Sequence, residues 1–295
     1  TYGGIKMPIN TDLIGYETKK VETLILEEKV IEYLSAINST NNYYSLNNVA
    51  PPIFNVVQEI SLLESIWKMP ELYGSKEEME QSVLMLVHGE QNMVFNKLLS
   101  FNMKVFSQAK IDSIVQKGSN YILKLSVTHL DDNNNQLGCS NWTLFIRAAE
   151  SDIVKTEKPK NIQKKQPPKI DERIPINSKS FEIGDDITYK YSKASNDFNP
   201  IHIDEDTAKK AGLSGIIVHG LCTMAMTMEK LISINISDDP SKLKSISLRF
   251  SSPVYPGDKL SIKTFDTDEK NKFNFEVENQ SNIKVIKNGS FEVIG

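Results

Sequence analysis

Alternating apolar and polar positions mark several stretches of the chain, each set following segments with helical spacing. In "YILKLSVTHL", Tyr121, Leu123, Leu125 and Val127 share one face, as a half-buried strand requires. "MKVFSQAKIDSIV" before it and "SNWTLFIRA" after it read as further strands, with "DDNNNQLG" suited to a hairpin turn. Ahead of these strands, "VETLILEEKVIEYLSAIN" has a helical period, and "EMEQSVLMLVHGEQNMVFNKLLS" reads as a second, more apolar helix. The back of the chain repeats the plan. "EDTAKKAGLSGIIVHGLCTMAMTMEKLISI" supplies helices, followed by "LKSISLRFSSPVYPGDKLSIKTFD", "FNFEVEN" and "IKVIKNGSFEVI" as strands.

Each half therefore reads as helix followed by antiparallel meander, an α+β plan. A His-Gly pair falls in the apolar helical segment of each: His88-Gly89 in front, His219-Gly220 behind. An antiparallel sheet wrapped around one apolar helix is the simplest architecture for either half, and pairing two such sheets edge to edge would cover exposed strand edges. Between the halves, "SDIVKTEKPKNIQKKQPPKIDERIPINS" holds lysines at 155, 158, 160, 164, 165 and 169 and prolines at 159, 167 and 168. That composition cannot bury a core, so it reads as a solvated linker rather than a phosphate-binding patch. The expected division is 1–150, a linker over 151–178, and 179–295.

At 295 residues there is room for two such halves. Apolar residues at 39% and charged residues at 24% describe a soluble globular protein. A formal net charge of −4 offers no electrostatic case for nucleic acid. Two cysteines, Cys139 and Cys222, point to a reducing compartment rather than a disulfide framework. No apolar run reaches the roughly 20 residues that span a bilayer. No apolar signal region opens the sequence, and it closes on Val293-Ile294-Gly295 rather than a Ser-Lys-Leu address.

One turn concentrates polar chemistry. "SNDFNPIHID", from Ser195 to Asp204, lies between a strand-like run and a helix-like run. Pro200 fixes its own φ and biases Asn199 away from the helical region, which stiffens the turn. Asp204 makes a good N-cap for the helix that follows, with Glu205 and Asp206 in its first turn and Gly212 at its stop. Asp197 and His202 are left over, and local sequence leaves two readings of them open. They can hold one water between a base and an acid, or they can be an Asx-turn with a satisfied histidine.

A second segment bears on the choice. "GIIVHGLCTMAMTMEKL" is apolar nearly all round, the mark of a buried helix. Gly220 near its start would allow a close approach to free N–H groups that can hold a developing oxyanion. Met224, Met226 and Met228 read as helix core and the wall of an acyl slot. His219 is expected to orient the start of the helix, and His129 to lie on a strand surface.

Together, "YSKASNDFNPIHID", "GIIVHGLCTMAM" and "RFSSPVYPGDKL" resemble the hydratase 2 motif of the MaoC-like enoyl-CoA hydratases. "LMLVHGEQ" and "VQKGSNYILKLSV" are similar to the family's degenerate front repeat, so the resemblance spans nearly the whole chain. It implies a double hot-dog fold and (3R)-specific hydration of trans-2-enoyl-CoA in fatty-acid β-oxidation, with neither metal nor organic cofactor. It implies Asp197 and His202 as the catalytic pair, with Asn199 helping to hold the water. Gly220 would donate its N–H to the thioester oxygen. His88, Gly89, Lys117, Phe198, Pro200, Ile201 and Phe250 would line the acyl-CoA site, and Lys117 would meet a CoA phosphate. The family also suggests a peroxisomal setting, with the cytoplasm as the alternative; a homodimer is the assembly in view, though the sequence does not fix the oligomeric state.

Two features depart from the family pattern. Asn196 stands where the family usually has Gly, but Asn is the non-glycine residue that best tolerates positive φ. The fused dehydrogenase or sterol-carrier domains of many members are not in this sequence. The front half reads "YLSAINSTNNYY" at the place of the polar turn, without Asp or His, and would be a widened partner for bulky acyl groups. Other functions in view are a 3-hydroxyacyl-carrier-protein dehydratase, a non-catalytic acyl-thioester binding module and a thioesterase. The folded halves show no basic docking face for an acidic carrier, and the Asp and His are both present.

Overall fold

In the computed structural model, residues 9–84, 86–146 and 173–295 are described. The Lys/Pro-rich stretch over 151–172, including its six lysines, lies outside them. The front half runs β1 (Val21–Leu24), α1 (Glu27–Ala36), α2 (Tyr43–Asn47), α3 (Val56–Trp67), α4 (Pro70–Tyr73) and α5 (Lys76–Leu84). The meander β2 (Leu86–Phe95), β3 (Lys104–Lys117), β4 (Asn120–Leu130) and β5 (Gln136–Ile146) completes it. The back half follows as β6 (Asn177–Glu182), α6 (Ile187–Ser195), α7 (Glu205–Lys210) and α8 (Gly220–Ile236). Its meander is β7 (Leu243–Phe250), β8 (Lys259–Asp266), β9 (Lys272–Asn279) and β10 (Lys284–Val293).

All described strands join one antiparallel sheet in the order β1-β3-β4-β5-β2-β7-β10-β9-β8-β6. Read outward from its centre, each half has the same internal order. The two halves meet where β2 pairs β7, with Glu90 opposite Arg249 and Asn92 opposite Ser247. The expected edge-to-edge pairing of two half-sheets is thus realised as one ten-stranded sheet. α3 packs on the front half of the sheet and α8 on the back half. α8 is buried on nearly every side, through Leu221, Met224, Met228, Leu231 and Ile232 among others. Fully burying such side chains is worth about 1.5–3 kcal/mol each, whereas helix propensities of ordinary residues differ by roughly 0.7 kcal/mol or less. Packing therefore holds this β-branched and Met-rich helix. No helix of the described residues is long and apolar enough to cross a membrane.

The structure corrects the expected layout in several places. "VETLILEEKVIEYLSAIN" divides into β1 and α1 rather than forming one helix. The apolar segment carrying His88-Gly89 is helix only to Leu84, and from Leu86 it is the central strand β2. The front half's apolar helix is instead α3, where Val56, Ile60 and Leu63 recur at helical spacing and are buried. A short apolar run suits either period, and β2 is settled by its two neighbours, β5 and β7. The segment before the polar turn is the helix α6, not a strand, with Ile187, Tyr191 and Ala194 on its buried face. β6 begins at Asn177, so the last two residues of the expected linker belong to the sheet.

Candidate active site

α6 ends at Asn196, which adopts the left-handed conformation with φ 61° and ψ 21°. The chain that follows is held by its own side chains. Asn199 N–H donates to Asp197 Oδ1 (3.2 Å) and Ile201 N–H to Asn199 Oδ1 (3.4 Å). A short 3-10 turn over Pro200–His202 then leads to Asp204, whose carboxylate caps α7 by accepting from Thr207 N–H (2.7 Å). These Asx-type bonds fix the separation of Asp197 and His202 before any tertiary contact is made.

Tertiary packing adds His219, the N-cap of α8. Its ring stacks on that of His202, with centroids 3.8 Å apart and planes 27° from parallel. His219 Nε2 lies 3.0 Å from the Asp197 backbone carbonyl and so donates to it. His202 Nδ1 lies 2.8 Å from the Ile217 carbonyl, which places its proton there and leaves Nε2 as a lone pair. Asp197, His202 and His219 each have a ligand-type atom within 4.8 Å of the others. Two of the four ring nitrogens are spent on backbone carbonyls, His219 Nε2 on Asp197 and His202 Nδ1 on Ile217. His202 Nε2 and the Asp197 carboxyl are left to handle a proton.

Burial raises the Asp197 carboxyl above the ordinary carboxylate range, partly offset by neighbouring His202 and the Asn199 N–H. Burial likewise lowers His202, partly offset by Asp197. His219 is held well below the usual imidazole value by burial and then by the adjacent His202. A carboxyl and an imidazole are thus pushed towards each other's range, as acid–base sites require.

Gly220 is the first residue of α8, so its N–H lies outside the helical hydrogen-bond ladder. A Cβ there would meet the Phe250 ring at 3.2 Å, so only glycine fits without displacing it. Phe250, at the end of β7, touches His88 edge-on, with centroids 5.0 Å apart. His88 lies flat on Trp142 at 4.3 Å, with planes 10° apart. Burial lowers His88 to about 4, so near neutrality it is an uncharged ring. A β-bulge between His88 and Glu90 brings His88 opposite Leu144 and Gln91 opposite Trp142, the buried face of β5. Gly89 sits in that bulge under Phe145, whose ring would overlap any Cβ.

The structure thus gathers Asp197, His202 and His219 in one cluster, and His88, Phe250 and Gly220 in one chain of contacts across the seam. Phe198, Asn199 and Pro200 are exposed on the turn, and Ile201 is half-buried. Lys117 is exposed at the tip of the β3–β4 hairpin, opposite Asn120 and beside the positive-φ Gly118. His129 is fully buried rather than on a surface, and the strand parity of Tyr121, Leu123, Leu125 and Val127 already runs on to it. Trp142 and the stacking of His219 were missed from sequence; Trp142 shares its inward parity with Leu144 and Ile146.

The front half keeps the backbone of the same turn. Asn38, after α1, also has positive φ (51°), and Asn41 N–H donates to Ser39 Oγ (3.4 Å) while Tyr43 N–H donates to Asn41 Oδ1 (2.9 Å). With identical spacing, Ser39 stands where the back half has Asp197, Asn41 where it has Asn199, and Tyr44 where it has His202. Both substitutes face Glu229 of α8: Ser39 Oγ donates to it at 2.5 Å, and the Tyr44 hydroxyl donates to its other oxygen. The turn survives in front, but its chemistry is closed off by a carboxylate from the back half.

Two family models match the chain, a MaoC like domain over residues 160–288 and an MFE-2 hydratase 2 N-terminal domain over 39–148. Both halves of the chain are thus similar to MaoC-like hydratase domains. An Arabidopsis thaliana member named peroxisomal enoyl-CoA hydratase 2 is 30% identical over 182 residues, covering 60% of this chain and 58% of that one. The match covers 60% and 58% of the length of two enoyl-CoA hydratase 2 relatives, and 29% of a Drosophila melanogaster peroxisomal multifunctional enzyme type 2. Among solved structures, a MaoC-like dehydratase from Phytophthora capsici superposes with TM-score 0.75 at 20% identity, covering 97% of this chain and 98% of that one. A Mycobacterium tuberculosis protein described as having a double hot-dog fold superposes with TM-score 0.58 at 10% identity, over 98% of this chain and 99% of that one. The fold is accordingly a double hot-dog.

Proposed function

We propose that this chain is a (3R)-specific enoyl-CoA hydratase acting in fatty-acid β-oxidation. The observation that carries the reading is the Asp197–His202 turn: a half-buried carboxyl and a buried imidazole with a free Nε2, set beside the N-terminus of α8. In this reading a water sits between Asp197 and His202, steadied by the Asn199 side-chain amide. One of the pair takes its proton as the hydroxyl adds to C3 of a trans-2-enoyl thioester, and the other delivers a proton to C2. Oxygen and both hydrogens of the water are thereby accounted for, and the negative charge developing on the thioester oxygen is met by the Gly220 N–H. Neither Asp197 nor His202 is assigned one step alone, because closely interacting groups titrate as a unit.

His88, Gly89, Phe250, Phe198, Pro200 and Ile201 line the acyl-CoA path in this proposal, with Lys117 as an outer contact for a CoA phosphate. All proposed catalytic groups come from the back repeat, 179–295, and the front repeat, 1–150, supplies one wall. A single chain therefore completes the site. The peroxisomal name of the Arabidopsis relative supports a peroxisomal setting. The test is incubation of the purified protein with trans-2-enoyl-CoA and chiral analysis of the product. (3R)-3-hydroxyacyl-CoA is expected; free acid would indicate a thioesterase, and (3S) or racemic product would sink the stereochemical assignment.

A further inference from the structure

Glu59, on α3, buries its carboxylate completely and spends all of it on three donors from the sheet. Ser140 Oγ donates at 2.6 Å and His129 Nε2 at 2.8 Å to one oxygen, while Trp142 Nε1 donates at 2.6 Å to the other. His129 is fixed in turn by Ser107, whose hydroxyl lies 2.8 Å from Nδ1. Turning the Trp142 ring away would leave a buried carboxylate oxygen and an indole N–H unpaired, which burial penalises. The indole plane is therefore held, and it carries His88 on its face. His88 abuts Phe250, and Phe250 covers Gly220.

We propose that Glu59 and Trp142 are positioning residues for acyl-thioester binding, holding His88 and the Phe250 ring against it as an aromatic wall beside Gly220. The inference rests on the hydratase reading of the site. It assigns the front half a defined task, since Glu59, Trp142 and His88 all lie in that half and Gly220 in the other. Because Asp197 and His202 are untouched by this network, its loss affects binding before chemistry.

Trp142→Leu removes the ring, and Trp142→Phe keeps a ring but not the N–H. Aromatic pairing is worth about 0.5–1.5 kcal/mol, so Trp142→Leu is expected to raise KM for trans-2-enoyl-CoA roughly two- to tenfold, with kcat within about twofold. Trp142→Phe keeps a ring on which His88 can rest but loses the bond to Glu59, so its KM should lie between those of Trp142→Leu and the wild type. A purely structural role would lower the melting temperature of both variants and leave KM unchanged, which overturns the proposal. An inactive wild-type protein would instead remove the hydratase reading itself. A second measurement does not depend on turnover or on the Leu variant folding. In a Trp67→Phe background, Trp142 is the remaining tryptophan. Titration with a saturated acyl-CoA, which cannot be hydrated, should change its emission, and the change should vanish in Trp67→Phe/His88→Ala. Unchanged emission on saturation would also overturn the proposal.

Discussion

His219 lies face to face with His202 at 3.8 Å and donates its Nε2–H to the backbone carbonyl of Asp197. One side chain from the start of α8 thus braces both polar residues of the turn, which local sequence had tied together only through Asn199. The brace is neutral, because burial and the neighbouring His202 keep His219 from charging. A cation stacked there would raise the cost of protonating His202.

With the turn braced in this way, Asp197→Asn and His202→Ala should each lower kcat about 10²–10⁴-fold without unfolding the protein. Steady-state hydration of trans-2-enoyl-CoA, alongside thermal unfolding of each variant, measures both halves of that statement. Near-wild-type turnover in either variant would show the site to be elsewhere.

Asp197 also feels charges from α3 and its C-cap, where Glu64 raises its pKa and Lys68 lowers it. The two residues form an exposed ion pair at 2.7 Å. Other groups around Asp197 are His202 and His219 at the turn and the α6 hydroxyl of Tyr191. Glu64→Gln should move the acid limb of kcat/KM to lower pH, and Lys68→Met should move it to higher pH. Both shifts should shrink as salt is added, because the two charges are exposed. Shifts of the same sign in both variants would contradict this picture.

His88 makes stability depend on acid. Its folded pKa is lowered to about 4, first by burial, from an ordinary value of 6.5. Its contribution is therefore present above the unfolded value and is lost as pH falls from about 6.5 towards 4, where only the unfolded chain takes up the proton. The loss amounts to at most about 3 kcal/mol. Melting temperature followed from pH 7 to 4 should fall less steeply in His88→Gln than in the wild type.

Glu229 offers a structural control. Tyr44→Phe removes one of the two hydroxyls on its buried carboxyl and should cost about 1–3 kcal/mol of stability. Turnover should stay within about twofold, because Tyr44 is the front-half counterpart of His202 and lies outside the proposed site. Chemical denaturation and initial rates on the same preparation separate the two effects.

Periodicity alone determined much of this protein. Strict alternation marked the meander strands, all-round apolarity marked α8, and short-range turn chemistry held Asp197, Asn199, His202 and Asp204 in order. These features depend on neighbours within a few residues, so they can be read locally. Tertiary structure decided what local pattern leaves open. The run around His88 satisfies either period, and it became a strand because β5 and β7 offered hydrogen-bond partners on both edges. His129 lies on the buried parity of β4, yet a histidine can stay there only with a partner, and Glu59 comes from 70 residues away. The closure of the front turn by Glu229 spans 190 residues to Ser39. Burial of polar groups is stable only when donors and acceptors from distant segments meet, and no window of sequence contains both.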